Sequence, residues 1–129
     1  MGFYDYSADY VPPMPVCQVF LGPGGGEAIL GPLEAVIDTG ADVTVIPLEY
    51  LRQVGAKRVS QGRAHSLWGD SRIVDVYAVT LTLNGLHIAA LQTLADNQSN
   101  EIVLGRFVLN RLKIVLDGPA AITEIIEIV

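Results

Sequence analysis

Cysteine and histidine are almost missing from this chain, and positive charge is in short supply. Cys17 is the only thiol, which excludes a disulfide within the chain and fits a reducing compartment, the cytoplasm. His65 and His87 are the only imidazoles. A zinc site would have to be completed by carboxylates, so no metal and no cofactor is expected. Eight Lys and Arg stand against fourteen Asp and Glu, a net charge of −6 with no basic run. The electrostatic footprint of a nucleic-acid binder is therefore absent. No apolar run approaches the roughly 18 residues that span a bilayer, so no membrane span is expected. Residues 1–5 lack the basic and apolar regions of a secretory signal.

What is present is apolar. Half of the 129 residues are hydrophobic and only 17% are charged. That is enough for one domain with its own core, with apolar surface left over for a partner chain. Residues 1–15 differ from the rest. Phe3, Tyr4, Tyr6 and Tyr10 crowd the first ten positions, and Pro12, Pro13 and Pro15 follow. They read as an extended N-terminal arm, either partly disordered or docked through its aromatics on a partner or in a groove. Residues 16–129 form the domain.

Within that domain short strands dominate. Residues 19–21 precede a glycine loop at 22–26, and strand pieces at 28–30 and 33–37 are broken at Gly31-Pro32. A short helical turn starts at Pro47 and ends near Gly55. Residues 59–83 read as a long hairpin with its tip at 67–71, and Ile73, Asp75, Tyr77, Val79, Leu81 and Leu83 share one face at period two. Asn84-Gly85 is the strongest turn signal, because both residues tolerate the positive φ of a type I′ hairpin. A returning strand over 86–94, a polar loop over 95–101 and a buried strand over 102–104 follow. A short helix over 106–112 turns Phe107, Val108 and Leu112 inward. Strands at 113–116 and 122–129 close the chain. The sum is a mostly-β domain, a closed or sandwich-like barrel with one short late helix.

One stretch does not fit routine turn chemistry. Residues 35–47 read A-V-I-D-T-G-A-D-V-T-V-I-P, an apolar run that stops at Asp38-Thr39-Gly40 and resumes at Val43. A carboxylate between two buried strands is costly unless hydrogen-bonded, paired or protonated. Asp38 is therefore either a strand-ending Asx turn or a catalyst. The tripeptide alone is weak, arising by chance in roughly one chain in twenty of this length. A second apolar strand ending in Gly105 adds weight.

Val36-Ile37-Asp38-Thr39-Gly40-Ala41 and Val103-Leu104-Gly105-Arg106 together resemble the two signatures of the retropepsin-like aspartic proteases, the family of the retroviral enzymes. The resemblance covers residues 16–116 and implies a closed acid-protease barrel with a flap hairpin. It implies an aspartic endopeptidase in which Asp38 supplies one carboxylate of a dyad, with Thr39 and Gly40 completing the catalytic loop. Only one Asp-Thr-Gly is present, so the second carboxylate must come from another copy, in a homodimer acting on peptide or protein substrates. By the same resemblance Thr39 braces the two loops across the dimer axis. Gly40, Ala41 and Asp42 hold substrate backbone, and Asp42 pairs with Arg106. Gly105 lets its strand pass close beneath the Asp38 loop, and Leu67, Trp68 and Gly69 form the flap tip. The flap carries a single glycine where family flaps are often glycine-rich, and Phe107 stands where a polar residue often follows the arginine. Residues 117–129 extend past the usual end, either as dimer-interface strands or as an intrachain hairpin. The opening at Met1 without flanking polyprotein sequence favours a free-standing cellular enzyme. Two alternatives stay open: a non-catalytic peptide-binding or dimerisation module of the same fold, and a monomeric barrel whose Asp-Thr-Gly is a plain turn.

Overall fold

The computed structural model describes residues 2–65 and 69–126. Among these described residues ten strands and two short helices succeed one another. They are β1 (Gly2–Asp5), β2 (Val16–Pro23), β3 (Leu30–Ile37), β4 (Thr44–Pro47), α1 (Leu48–Gln53), β5 (Lys57–His65) and β6 (Ser71–Leu83). There follow β7 (Leu86–Asp96), β8 (Ile102–Leu104), α2 (Arg106–Leu109), β9 (Lys113–Asp117) and β10 (Ile122–Ile126). One sheet runs β2-β3-β8-β4-β7-β6-β5, and an additional pairing of β2 with β6 closes its first six strands into a barrel. Closure removes the free edges of these six strands and leaves β5 as an open edge. Among the described residues no helix is long and apolar enough to cross a membrane.

The barrel is filled by the inward residues of its strands. Val19, Leu21, Ile46, Val79, Leu81, Leu83, Ile102 and Leu104 are all essentially without solvent contact, joined by Leu51 of α1 and Val108 of α2. At roughly 1.5–3 kcal/mol for each large side chain buried, this cluster is the principal support of the fold. Asn84 and Gly85 take φ of 47° and 89°, as the type I′ turn between β6 and β7 requires.

Several expectations are corrected. The strand at 30–37 is continuous through Gly31-Pro32 instead of broken there; these two residues stand opposite Phe20 alone, so β3 itself carries the irregularity as a bulge between the Val19–Leu33 and Leu21–Leu30 pairs. The period-two face of β6 holds only in its barrel half. Val79, Leu81 and Leu83 are buried, but Ile73 is 64% exposed and Val76 is buried. The β5–β6 pair outruns the barrel, since β6 pairs with β7 only from Val76 onward and residues 71–75 pair with β5 alone. Register shifts beside Val59 and Thr80 turn the ribbon further. Phe107 points outward, 66% exposed, while Val108 and Leu109 face the core; a helix of one turn cannot bury three consecutive positions.

The N-terminal residues are built into the fold. Gly2–Asp5 pairs antiparallel with β10, which pairs with β9, in a separate three-stranded sheet. Tyr4 and Ile125 of this sheet pack on the barrel core, and Asn84 Nδ2 donates to Ile125 O at 3.2 Å. Of the two readings for the tail, the intrachain hairpin is the one formed. Residues 6–15 return to the barrel through a Ser7–Met14 bridge, and the Tyr10 hydroxyl donates to the Glu101 carboxylate.

Candidate active site

Strand β8 lies between β3, which it pairs in parallel, and β4, which it meets antiparallel at Val45 and Val103. The 38–43 loop joins β3 to β4 and must therefore cross the end of β8, where the chain turns into α2. This crossing brings the two distant sequence stretches together. It also leaves no room for a side chain on the lower strand. A Cβ at Gly105 would sit 2.4 Å from Val43 O and 2.6 Å from Val43 C.

Backbone groups of loop and helix satisfy one another. Asp38 N donates to Leu104 O at 3.1 Å, extending the β3–β8 ladder by one residue, and Ala41 N donates to Asp38 O at 3.2 Å. The first amides of α2 would otherwise be unpaired. Arg106 N donates to Ala41 O at 2.9 Å and Phe107 N to Asp42 O at 3.1 Å. Gly105 N donates to Thr44 Oγ1 at 3.4 Å, and Thr44 is fully buried. Thr44 and the Val43 carbonyl were missed by sequence reasoning. A hydroxyl in the apolar run V-T-V-I was the available signal, since a buried hydroxyl needs a partner.

The Arg106 guanidinium locks the crossing from outside. Its Nη1 donates to Thr39 O at 2.7 Å and its Nη2 pairs with Asp42 Oδ1. The side chains of Arg106 and Asp42 are 43% and 77% exposed, so the ion pair by itself is worth at most about 1 kcal/mol. The fork matters more for where it holds Thr39 and Asp42 than for stability. A depression of about 470 Å³ lined by Asp42, Arg106, Phe107, Asn110 and Arg111 opens beside it.

Asp38 itself is exposed, as are Thr39 and Gly40. The desolvation cost anticipated for a carboxylate between buried strands does not arise within one chain, because the loop carries it out of the barrel. Gly40 N donates to Asp38 Oδ1 at 2.9 Å, an Asx-type bond that fixes the carboxylate's direction. A Cβ at Gly40 would stand 3.2 Å from that same oxygen. Ala41 is half-buried beneath the loop. Thus Asp38, Thr39, Gly40, Ala41, Asp42, Gly105 and Arg106 meet in one place. Gly69 lies far along the β5–β6 hairpin with φ +87°, and Leu67 and Trp68 fall outside the described residues. Among the described residues no three His, Cys, Asp or Glu side chains gather as metal ligands.

The sequence model of the family described as "gag-polyprotein putative aspartyl protease" matches residues 30–111, well over half of the chain. The chain belongs to this family. The matched segment runs from the start of β3 past α2, so it contains the whole crossing. No curated protein sequence matches this retropepsin-like chain significantly. Its fold is shared with EIAV protease complexed with the inhibitor HBY-793, at 21% identity and a TM-score of 0.59, covering 84% of this chain and 93% of that one. It is shared with a retropepsin-like aspartic protease from Rickettsia conorii, at 13% identity and a TM-score of 0.62, covering 95% and 86%. The retroviral protease-like domain of Ddi1 from Leishmania major is also similar, at 17% identity and a TM-score of 0.54, covering 89% and 90%. The retropepsin-like aspartic protease fold is thus established.

Proposed function

We propose that the chain is an aspartic endopeptidase that works as a homodimer, with Asp38 of each copy forming the dyad. The observation that carries this reading is the exposed Asp38 carboxylate. It is held in direction by the Gly40 amide at the crossing of β3, β8 and α2. The other carboxylate of its loop, Asp42, is taken up by Arg106, and a twofold axis through the loop supplies a companion for Asp38. Two carboxylates a hydrogen bond apart share one proton. The ionised one removes a proton from water as the water oxygen attacks the peptide carbonyl, while the other gives its proton to the carbonyl oxygen. Thr39 braces the two loops across the axis, and Gly40, Ala41 and Asp42 hold substrate backbone. Leu67, Trp68 and Gly69 close over the substrate and exclude water. Gly105 and Arg106 set the position of the loop. Lone, buried Cys17 fits a reducing compartment, and the cytoplasm is the site of action.

A peptide-library cleavage assay with wild type and Asp38→Asn tests the reading. Cleavage is expected from wild type only, with specific activity falling as the protein is diluted below its dimer dissociation constant. Cleavage that persists in Asp38→Asn overturns the catalytic assignment. Peptide binding without hydrolysis by wild type identifies a binding module instead.

A further inference from the structure

The charges of the chain are segregated by the fold. Residues 52–72 contain Arg52, Lys57, Arg58, Arg63 and Arg72 against one acid, Asp70, a local net of +4 that leaves the remainder at −10. Four of these five cations lie on one projecting ribbon, Lys57, Arg58 and Arg63 on β5 and Arg72 on β6, while Arg52 belongs to α1. Arg58 is engaged by Asp75 at 3.2 Å, and Arg63 reaches the Ser71 hydroxyl at 3.3 Å. Among the described residues Lys57, Arg63 and Arg72 pair with no carboxylate.

The same ribbon has an open edge. β5 is the terminal strand of the large sheet, bonded to β6 alone, and seven of its nine residues are exposed. Nine residues give an edge of about 30 Å with unpaired N–H and C=O groups. Exposed Ile73 lies directly opposite Arg63, and Val59 is exposed nearby. Arg72 is registered with Ala64, the neighbour of Arg63, so the two arginines flank the edge on opposite faces. A strand laid along β5 presents alternate side chains to both faces and meets a cation on each.

We propose that the β5 edge is a docking strand for an extended acidic polypeptide segment, paired backbone to backbone with β5 and held by Lys57, Arg63 and Arg72. Charge complementarity selects an acidic segment, and the free main-chain edge selects a polypeptide. A nucleic acid reaching beyond the ribbon meets the −10 of the remaining chain. The docking rests on the peptidase reading only for the fate of a bound segment as substrate. Binding itself requires no hydrolysis.

The test is fluorescence anisotropy of a labelled peptide of alternating Glu and Val, titrated with wild type and with Asp38→Asn, so that binding is read whether or not cleavage occurs. Saturable binding is expected, with protection of β5 amides from hydrogen exchange. The dissociation constant should rise about tenfold in Arg63→Glu/Arg72→Glu, and about as much when ionic strength goes from about 0.05 to 0.5 M. Lys57→Glu, at the base of the strand, provides the same reading if the double variant fails to fold. Absence of saturable binding overturns the proposal, as does equal affinity for an alternating Ser-Val peptide. Tighter binding of a single-stranded oligonucleotide would replace it with a nucleic-acid site. Aggregation of Arg63→Gln/Arg72→Gln with unchanged peptide affinity assigns the arginines to edge protection alone and also overturns it.

Discussion

Gly105→Ala probes the crossing on which the site depends. The added carbon would stand 2.4, 2.6 and 2.8 Å from the O, C and N of Val43, all backbone atoms, so no rotamer change relieves the overlap. Residue 105 has φ −94° and ψ −177°, a conformation open to any L residue, so the penalty is contact and not backbone strain. Ordinary contact requires the loop and the β8–α2 joint to part by about 1 Å. That movement stretches the bonds from Arg106 N to Ala41 O and from Phe107 N to Asp42 O. Overpacking of a rigid site costs about 1–3 kcal/mol, and weakening two hydrogen bonds adds about 1–2 kcal/mol. The expected loss is therefore about 3–4 kcal/mol. For a domain of this length that lowers Tm by about 10–15 °C. Calorimetry at fixed protein concentration measures it, with Gly118→Ala as control because nothing lies within 4 Å of its Cβ position. A Tm for Gly105→Ala within about 2 °C of wild type would refute the close approach and the placement of the loop built on it.

Further outcomes follow from the same geometry. Arg106→Lys cannot serve Thr39 O and Asp42 with one fork. It should lower Tm by roughly 5 °C but kcat/KM at least tenfold, roughly, because the loop is misplaced; equal wild-type kinetics would remove Arg106 from the positioning role. Burial pushes the Cys17 thiol up to about 12, so thiol reagents at mildly alkaline pH should label it only through opening of the fold. Labelling should be faster in Gly105→Ala, and rapid labelling of folded wild type would contradict its burial. Tyr10 is raised to about 12, chiefly by its hydrogen bond to Glu101. An unfolded tyrosine ionises near 10, so the contribution is complete below about pH 10 and lost as pH rises towards 12. The stability difference between wild type and Tyr10→Phe should shrink across that window in urea titrations; a constant difference would show that the bond is not formed.

The barrel was legible because its signals are local. Alternating apolar strands, the Asn84-Gly85 turn and the glycine after Leu104 each impose a conformation through their own residues. The same applies to the candidate site, since Asp38-Thr39-Gly40-Ala41 and Gly105-Arg106 mark themselves by residue type. Legibility failed where a partner far along the chain decides. The residues before Tyr6 read as an arm because nothing near them shows that Ile122–Ile126 offers a strand to pair with. Phe107 reads as core because hydrophobicity does not reveal that α2 is a single turn with its outer side in solvent.

Residue identity settles which groups are available: one Asp-Thr-Gly, one arginine after an apolar strand and a glycine, one thiol and few positive charges. Tertiary structure alone decided how they meet. Passing the 38–43 loop over the end of β8 places Val43 against Gly105, ties Arg106 to Thr39, and leaves Asp38 facing solvent. The β5–β6 hairpin in turn sets Lys57, Arg58, Arg63 and Arg72 along the open β5 edge. Proximity between residues more than sixty positions apart is fixed by strand order and closure, which no short stretch of sequence encodes.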